Sequence, residues 1–142
     1  GKGYSITMPR PARCPRLPLI FDEHRVAVTP WGSGYRLGST MEFAGYDTSI
    51  DPRRLQLLRD GATPYLHEPY CDPVQEEWYG WRPMTADGIP YIDRSPRYSN
   101  VWIAAGHSML GISMGTGTGK LVAELITGQK PHVDPALYRI KR

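Results

Sequence analysis

The residue whose setting most favours chemistry is Arg82, which follows Trp78, Tyr79, Gly80 and Trp81 and precedes Pro83. A guanidinium among bulky aromatics beside a rigid proline presents a planar fork of donors, the geometry that holds a carboxylate by two parallel hydrogen bonds. The plainer reading of the same residues is a strand whose aromatics face a core, with Arg82 and Pro83 at its surface end. A second stretch, Gly106-His107-Ser108-Met109-Leu110-Gly111-Ile112-Ser113, follows a compact apolar run and leads through Gly115, Gly117 and Gly119 toward a helix. A strand, a glycine-rich crossing and a helix are the means by which many α/β proteins offer backbone amides to an anion or a polarised carbonyl.

Other chemistries fail on spacing. A phosphate-binding Walker loop ending at Gly119-Lys120 needs glycine at 114 and Ser or Thr at 121, which are Met114 and Leu121. A dinucleotide turn begun at Gly115 and Gly117 reaches Lys120 where its third glycine belongs, and one begun at Gly117 and Gly119 reaches Val122. If the chain uses a dinucleotide cofactor, the part that grips its phosphates is expected outside these residues. Gly106-His107-Ser108 opens like a nucleophile elbow, but the closing glycine is Gly111 where the pattern needs position 110. His132 and Asp134 stand in the wrong order, two residues apart, for the triad of that fold. His24, His67, His107 and His132 show no ligand spacing, so no metal site is expected, and His107 alone reads as a packed, hydrogen-bonded histidine. Cys14 and Cys71 form no Cys-x-x-Cys pair, and reduced thiols in a cytoplasmic setting are the expectation.

The elements that must position these residues follow from composition and pattern. The chain has 142 residues, a size suited to one domain or a piece of a larger protein. Its 15 Gly and 14 Pro, roughly a fifth of the residues against a usual ~12%, predict short elements and many loops and exclude a helical bundle. Charged residues at 22% and a net charge of +3 exclude disorder. The arginines at 10, 13 and 16 lie among prolines and those at 139 and 142 in the tail, so a solvated surface is favoured and no nucleic-acid partner is expected. No apolar run reaches the roughly 18 residues of a membrane span. The start at Gly1, within what reads as a strand, gives the expectation of an excised piece.

Tyr4–Met8 reads as a half-buried strand. Leu19–Phe21 and Arg25–Thr29 read as a hairpin, and Tyr35–Glu42 as the next strand of an antiparallel meander. Asp51-Pro52 marks a helix start carrying Leu55 and Leu58 on one face, ended by Gly61 and Pro64. Gln75–Arg82, Ile89–Ile92 and Val101–Ala105 are predicted strands, and a final helix is predicted over about Gly119–Thr127, stopped by Gly128. The fold class is α+β: a mostly antiparallel sheet with few helices, followed by one strand and one helix of an α/β domain.

Three ordered motifs carry a resemblance. Trp78-Tyr79-Gly80-Trp81-Arg82-Pro83-Met84-Thr85-Ala86-Asp87-Gly88-Ile89-Pro90, then Gly106-His107-Ser108-Met109-Leu110-Gly111, then Gly117-Thr118-Gly119-Lys120-Leu121 through Gly128 resemble the carboxyl-terminal portion of the FAD-dependent amino-acid oxidoreductases. That group holds D-amino acid dehydrogenase, D-amino acid oxidase, glycine oxidase and sarcosine oxidase, and the dehydrogenase branch is the nearest in appearance. Lys2-Gly3-Tyr4-Ser5-Ile6-Thr7, Tyr35 through Glu42 and Gly45-Tyr46-Asp47-Thr48 look like the substrate domain of the same family.

The resemblance implies a division into part of a substrate-binding domain, 1–75, and the carboxyl-terminal part of an FAD-binding domain, 76–142. It implies that Arg82 holds the α-carboxylate of a small amino-acid substrate. Gly106, His107, Ser108, Leu110, Gly111, Ile112 and Ser113 would pass along the flavin's pyrimidine edge and stabilise the charge that develops there. Met109 stands where glycine oxidase has a second substrate arginine, which points toward a larger or more apolar amino acid. The implied reaction is hydride removal from Cα to the flavin, giving an imino acid that hydrolyses to a 2-oxo acid and ammonia, with no protein nucleophile. An amino-terminal FAD-binding portion is the implied partner, self-association of the shorter chain is expected, and the parent enzyme is expected in the cytoplasm or at the periphery of the inner membrane. The alternative is a non-catalytic binding or assembly module that retains the fold.

Overall fold

Every second side chain from Lys2 to Met8 points the same way, and the structure buries both resulting faces. The computed structural model describes all residues 1–142 and divides into two units, Gly1–Trp81 and Arg82–Arg142. In the first, β1 (Lys2–Pro9), β2 (Leu19–Phe21), β3 (Val26–Pro30), β4 (Gly34–Glu42) and β5 (Glu76–Trp81) form one antiparallel sheet in the order β2-β3-β4-β1-β5. β1 is central, so its strand is not the half-buried one predicted. Its Tyr4, Ile6 and Met8 meet Val26, Val28, Tyr35 and Leu37 in the core. Its opposite face is shielded by a polar ladder in which Arg36 reaches Thr7 at 2.8 Å and Glu76 at 2.8 Å.

The predicted meander holds for β2, β3 and β4, but β4 then pairs back onto β1. β5 pairs with β1 on the other side. β5 therefore belongs to the first unit, and the units divide at 81/82, beyond the 75/76 division implied above. Trp78 and Trp81, expected as core aromatics, lie largely exposed on this edge strand, while Tyr79 packs partly against the core.

α1 (Pro52–Ala62) starts as predicted: Asp51 caps it by accepting from the Arg53 amide at 2.9 Å, and proline fills the first turn, where its missing N–H costs nothing. Leu55, Leu58 and Ala62 bury against the sheet. Gly61 does not end the helix. It lies inside it, where an added Cβ would sit 2.7 Å from Val26 Cγ2 and 2.9 Å from His24 Cβ, so close approach to the β2–β3 hairpin explains the glycine.

At the start of β1 the buried Lys2 ammonium lies 3.6 Å from both Glu42 and Asp47, donates to the Ser49 carbonyl, and stands over the Tyr4 and Tyr79 rings. Burial alone would lower its pKa. The Tyr4 hydroxyl and the two carboxylates outweigh that and raise it.

The second unit opens with the ribbon of β6 (Tyr91–Arg94) and β7 (Trp102–Ala105), antiparallel and paired Tyr91 to Ala105. β6 begins two residues later than its predicted start, because Pro90 offers no N–H to a ladder. A 3₁₀ turn, Ser108–Leu110, then leads directly into α2 (Gly111–Thr127). The helix thus starts well before the predicted Gly119. Glycine in a helix interior costs roughly 0.5–1 kcal/mol relative to alanine, which weakens the helical signal of this stretch in the sequence. The inward face, with Leu121 and Glu124 buried, overrides that preference. Gly128 ends α2 as predicted, at φ 69°. No helix is long and apolar enough to cross a membrane.

Two outcomes are expected. Leu58→Ala should lower the unfolding free energy by about 2–5 kcal/mol, whereas Leu57→Ala, on the exposed side of α1, should change it by less than about 0.5 kcal/mol; urea titrations followed by circular dichroism compare them. Glu124 accepts from the His132 ring at 2.8 Å and from the His132 amide at 2.9 Å, and these bonds hold its carboxyl below the ordinary 4.5. Its contribution should therefore be complete above that ordinary value and be lost as pH falls through the lower folded one. The His132 amide resonance should shift toward its unfolded position only on acidification below the ordinary carboxyl value, and in Glu124→Gln it should show no such acid transition.

Candidate functional site

The second unit carries all the predicted site residues, from Arg82 to Ser113. Arg82 follows the last residue of β5 directly and is half-buried, and burial presses its guanidinium pKa downward. Beside it, the Pro83 carbonyl accepts from the Ser108 amide at 2.9 Å. This bond ties the backbone of the Arg82 segment to the stretch after β7, far along the sequence.

That stretch has an unusual backbone. Gly106 is buried with φ 86°, and Ser108 takes φ 52°, a left-handed conformation uncommon for a residue with a Cβ. His107 lies between them at φ −74°, ψ 1°. Alternation of left- and right-handed residues turns successive amides toward one side, the concavity that binds anions. A Cβ at Gly106 would stand 2.5 Å from Thr85 Cγ2, so only glycine permits this approach of the two segments. His107 Nε2 meets Thr118 Oγ1 at 3.0 Å, which pins the stretch to the second turn of α2. The histidine is thus a hydrogen-bonded anchor.

Ser108, Met109 and Leu110 form the 3₁₀ turn, and Met109 and Leu110 are both more than half exposed. Gly111, Ile112 and Ser113 make the first turn of α2, with Ile112 97% exposed. Leu110 stands at the N-cap and has no side-chain acceptor, so the first-turn amides meet no capping side chain. Partial positive charge therefore collects where the alternating backbone ends. Ser113 borders a cleft of about 300 Å³ on the inner side of α2. Gly115, Gly117 and Gly119 all lie within the helix, so none makes a turn, and nothing stands within 4 Å of where their Cβ atoms would be.

The structure brings the Arg82 segment and the 106–113 stretch together through backbone. Sequence reasoning missed what makes the junction: the Pro83 carbonyl, the Thr85 methyl and the Thr118 hydroxyl. Thr85 and Thr118 both fall within the motifs, but neither carries a charge or a metal-ligand spacing that would have singled it out. On the first unit, Trp81 donates to the Gly45 carbonyl at 3.2 Å and lies edge-on to Tyr79 and Tyr46.

A helix start without a capping side chain, next to the left-handed Gly106 and Ser108, makes a locally electropositive stretch of backbone suited to hydrogen-bond acceptors or negative charge. Within it the Ser108 amide is taken by the Pro83 carbonyl and the Leu110 amide by the His107 carbonyl, and Arg82 is the cation on the adjoining segment.

Comparison with known proteins identifies the family. The family described as FAD dependent oxidoreductase matches residues 1–125. A D-amino acid dehydrogenase from Granulibacter bethesdensis is 36% identical across 99% of this chain and 34% of its own length. One from Paramagnetospirillum magneticum is 35% identical across 90% of this chain and 31% of its own length. The chain thus spans about a third of the length of these relatives. Among solved structures, glycine oxidase from Geobacillus kaustophilus superposes with a TM-score of 0.87 at 24% identity, covering 99% of this chain and 38% of that one. L-proline dehydrogenase from P. horikoshii superposes at 0.80 with 23% identity, covering 97% and 38%. Those two likenesses show a shared fold, and the match along residues 1–125 shows that the chain belongs to the FAD-dependent oxidoreductase family.

Proposed function

We propose that the protein containing this chain oxidises D-amino acids, and that residues 82–113 hold the substrate's carboxylate and the cofactor's pyrimidine edge. The observation that carries this reading is the 2.9 Å bond from the Ser108 amide to the Pro83 carbonyl, which joins the backbone of the Arg82 segment to the 106–108 stretch. The relatives named D-amino acid dehydrogenase support the substrate class.

Bound FAD supplies the acceptor for the two electrons that leave the substrate. Arg82 fixes the α-carboxylate by a charge-assisted bidentate contact and so aims Cα. The amides of Gly106, His107 and Gly111–Ser113, with the positive end of α2, favour negative charge on the neighbouring heterocycle. His107 keeps these amides in place through Thr118. Met109, Leu110 and Ile112 contribute apolar surface that excludes water when covered. The oxidised product is an imino acid, which water converts to a 2-oxo acid and ammonia. Met109 is uncharged, so one cation serves the carboxylate and the side-chain end of the substrate meets apolar surface. The first unit is assigned to substrate binding and the second to the cofactor domain, with an amino-terminal FAD-binding portion as the partner that supplies the pyrophosphate grip.

The test uses the full-length protein. Its absorbance spectrum should show a flavin that bleaches when a D-amino acid mixture is added without oxygen; a colourless protein that FAD does not reconstitute would replace this reading with a non-catalytic binding module. Arg82→Ala should raise KM and lower turnover, a loss in kcat/KM of about tenfold to a hundredfold for a contact of roughly 1.5–3 kcal/mol. Unchanged kinetics would remove Arg82 from the site. With Met109, Leu110, Ile112 and Ile126 exposed, residues 1–142 alone should self-associate, and a purely monomeric sedimentation profile in dilute solution would count against it.

A further inference from the structure

The carboxyl-terminal tail closes onto the other side of the segment that carries Arg82. Arg142 holds both oxygens of Asp87, Nε to Oδ2 at 2.6 Å and Nη2 to Oδ1 at 2.7 Å, and Nη2 also donates to the Ile89 carbonyl at 2.5 Å. Its guanidinium lies 4.3 Å from the centre of the Tyr91 ring and is mostly buried, and Nη1 donates to the Arg139 carbonyl at 2.9 Å. A second tether runs from the Ile140 amide to Asp93 Oδ2 at 3.1 Å. An arginine that uses its whole fork, with an aromatic face beneath it, is held in one orientation.

What this orientation fixes is Thr85. The Ile89 carbonyl that receives Arg142 also accepts from Thr85 Oγ1 at 2.9 Å, and the Ile89 amide donates to Asp87 Oδ1 at 3.1 Å. Thr85 is branched at Cβ, so binding its hydroxyl sets χ1 and with it the direction of Cγ2. That methyl is the group packed against Gly106, while the Pro83 carbonyl, two residues earlier, receives the Ser108 amide. The loop 83–90 is therefore held by the tail on one side and by the 106–108 backbone on the other.

We infer that Arg142 is a positioning residue: through Asp87, the Ile89 carbonyl and Thr85 it sets the seat of the 106–108 backbone beside Arg82. The inference deepens the site proposed above and rests on that reading for its effect on catalysis. Its structural content stands on the tail contacts alone. Arg142 lies beyond residues 1–125, the part of the chain that the family match covers.

The experiment compares the full-length protein with Arg142→Ala, Arg142→Lys, Thr85→Ser and, as a control, Lys141→Ala, using amide hydrogen exchange, FAD affinity and steady-state kinetics. In Arg142→Ala the amides of 83–90 and 106–110 should exchange at least tenfold faster while those of β1 and β4 stay protected, and FAD affinity should fall severalfold. Thr85→Ser keeps the hydroxyl and removes the methyl, so it should loosen 106–110 and leave the tail protected. Arg142→Lys, which keeps the charge without the fork, should restore exchange only in part, and Lys141→Ala should match the parent. KM for the amino acid should rise more than kcat falls. Unchanged exchange at 106–110 in Arg142→Ala would overturn the inference, whatever happens to melting temperature or to Thr85→Ser. Faster exchange in a protein that neither binds FAD nor oxidises amino acids would uphold the tail's structural role and defeat the functional reading instead.

Discussion

One close approach governs the second unit: the backbone at Gly106 lies against Thr85 with no room for a Cβ, and one residue pair away the Ser108 amide closes onto Pro83. Together these leave little freedom between the segment that presents a guanidinium and the segment that presents amides. A positioning enzyme needs this constraint more than it needs any reactive side chain, because correct relative placement of bound groups accounts for much of a barrier's reduction. The arrangement is held by backbone and a methyl group. It therefore lets the side chains around it, Met109 above all, differ without disturbing the frame.

The first unit solves a different problem. A strand buried on both faces that begins with lysine places an ammonium where water cannot reach, and an unpaired charge there would be strongly destabilising. Two carboxylates, a carbonyl and two aromatic rings surround Lys2, and the carboxylates come from β4 and the loop after it, with Arg54 of α1 reaching Glu42 at 3.4 Å. The cluster thus ties the start of β1 to three other parts of the unit. An ion network of this kind is weak evidence of stability, but it is directional, and it admits fewer alternative registers than apolar contact alone. β1 and β4 in fact change register between Gly3 and Ser5, where Ser39 takes φ 110°, and the ion cluster lies just beyond that irregularity.

How much of this was legible in the sequence depended on whether a residue's role is local. Asp51-Pro52 and Gly128 announce helix ends because capping is decided within a few residues, and both are where the pattern puts them. Gly61 and Gly115 through Gly119 misled because glycine has two uses, ending a helix and permitting close approach, and only tertiary contact distinguishes them. β1 misled because alternation describes a strand with one wet face, whereas a central strand can carry Ser5 and Thr7 against a polar ladder and still be buried. Arg82 and the 106–113 stretch were found as motifs. Their junction was not, since a proline carbonyl and a threonine methyl leave no mark in the spacing of charged residues.

The same distinction explains why the tail matters. In the proposed site, motif residues such as Arg82 and Gly106 decide what can be bound. A residue that sets the seat of the motif from behind acts in degree, because the bonds it makes can weaken one at a time: the fork on Asp87, the donation to Ile89, the face on Tyr91. The Asp87 carboxyl is held far below the usual carboxylate range by the Arg142 fork first and the Ile89 amide next, so this clasp stays ionised in acid where ordinary carboxylates protonate. Its strength is set by the geometry of one arginine at the chain's end. For the proposed site, with its chemistry in the motif and its alignment in the tail, affinity can change without a change in what is bound.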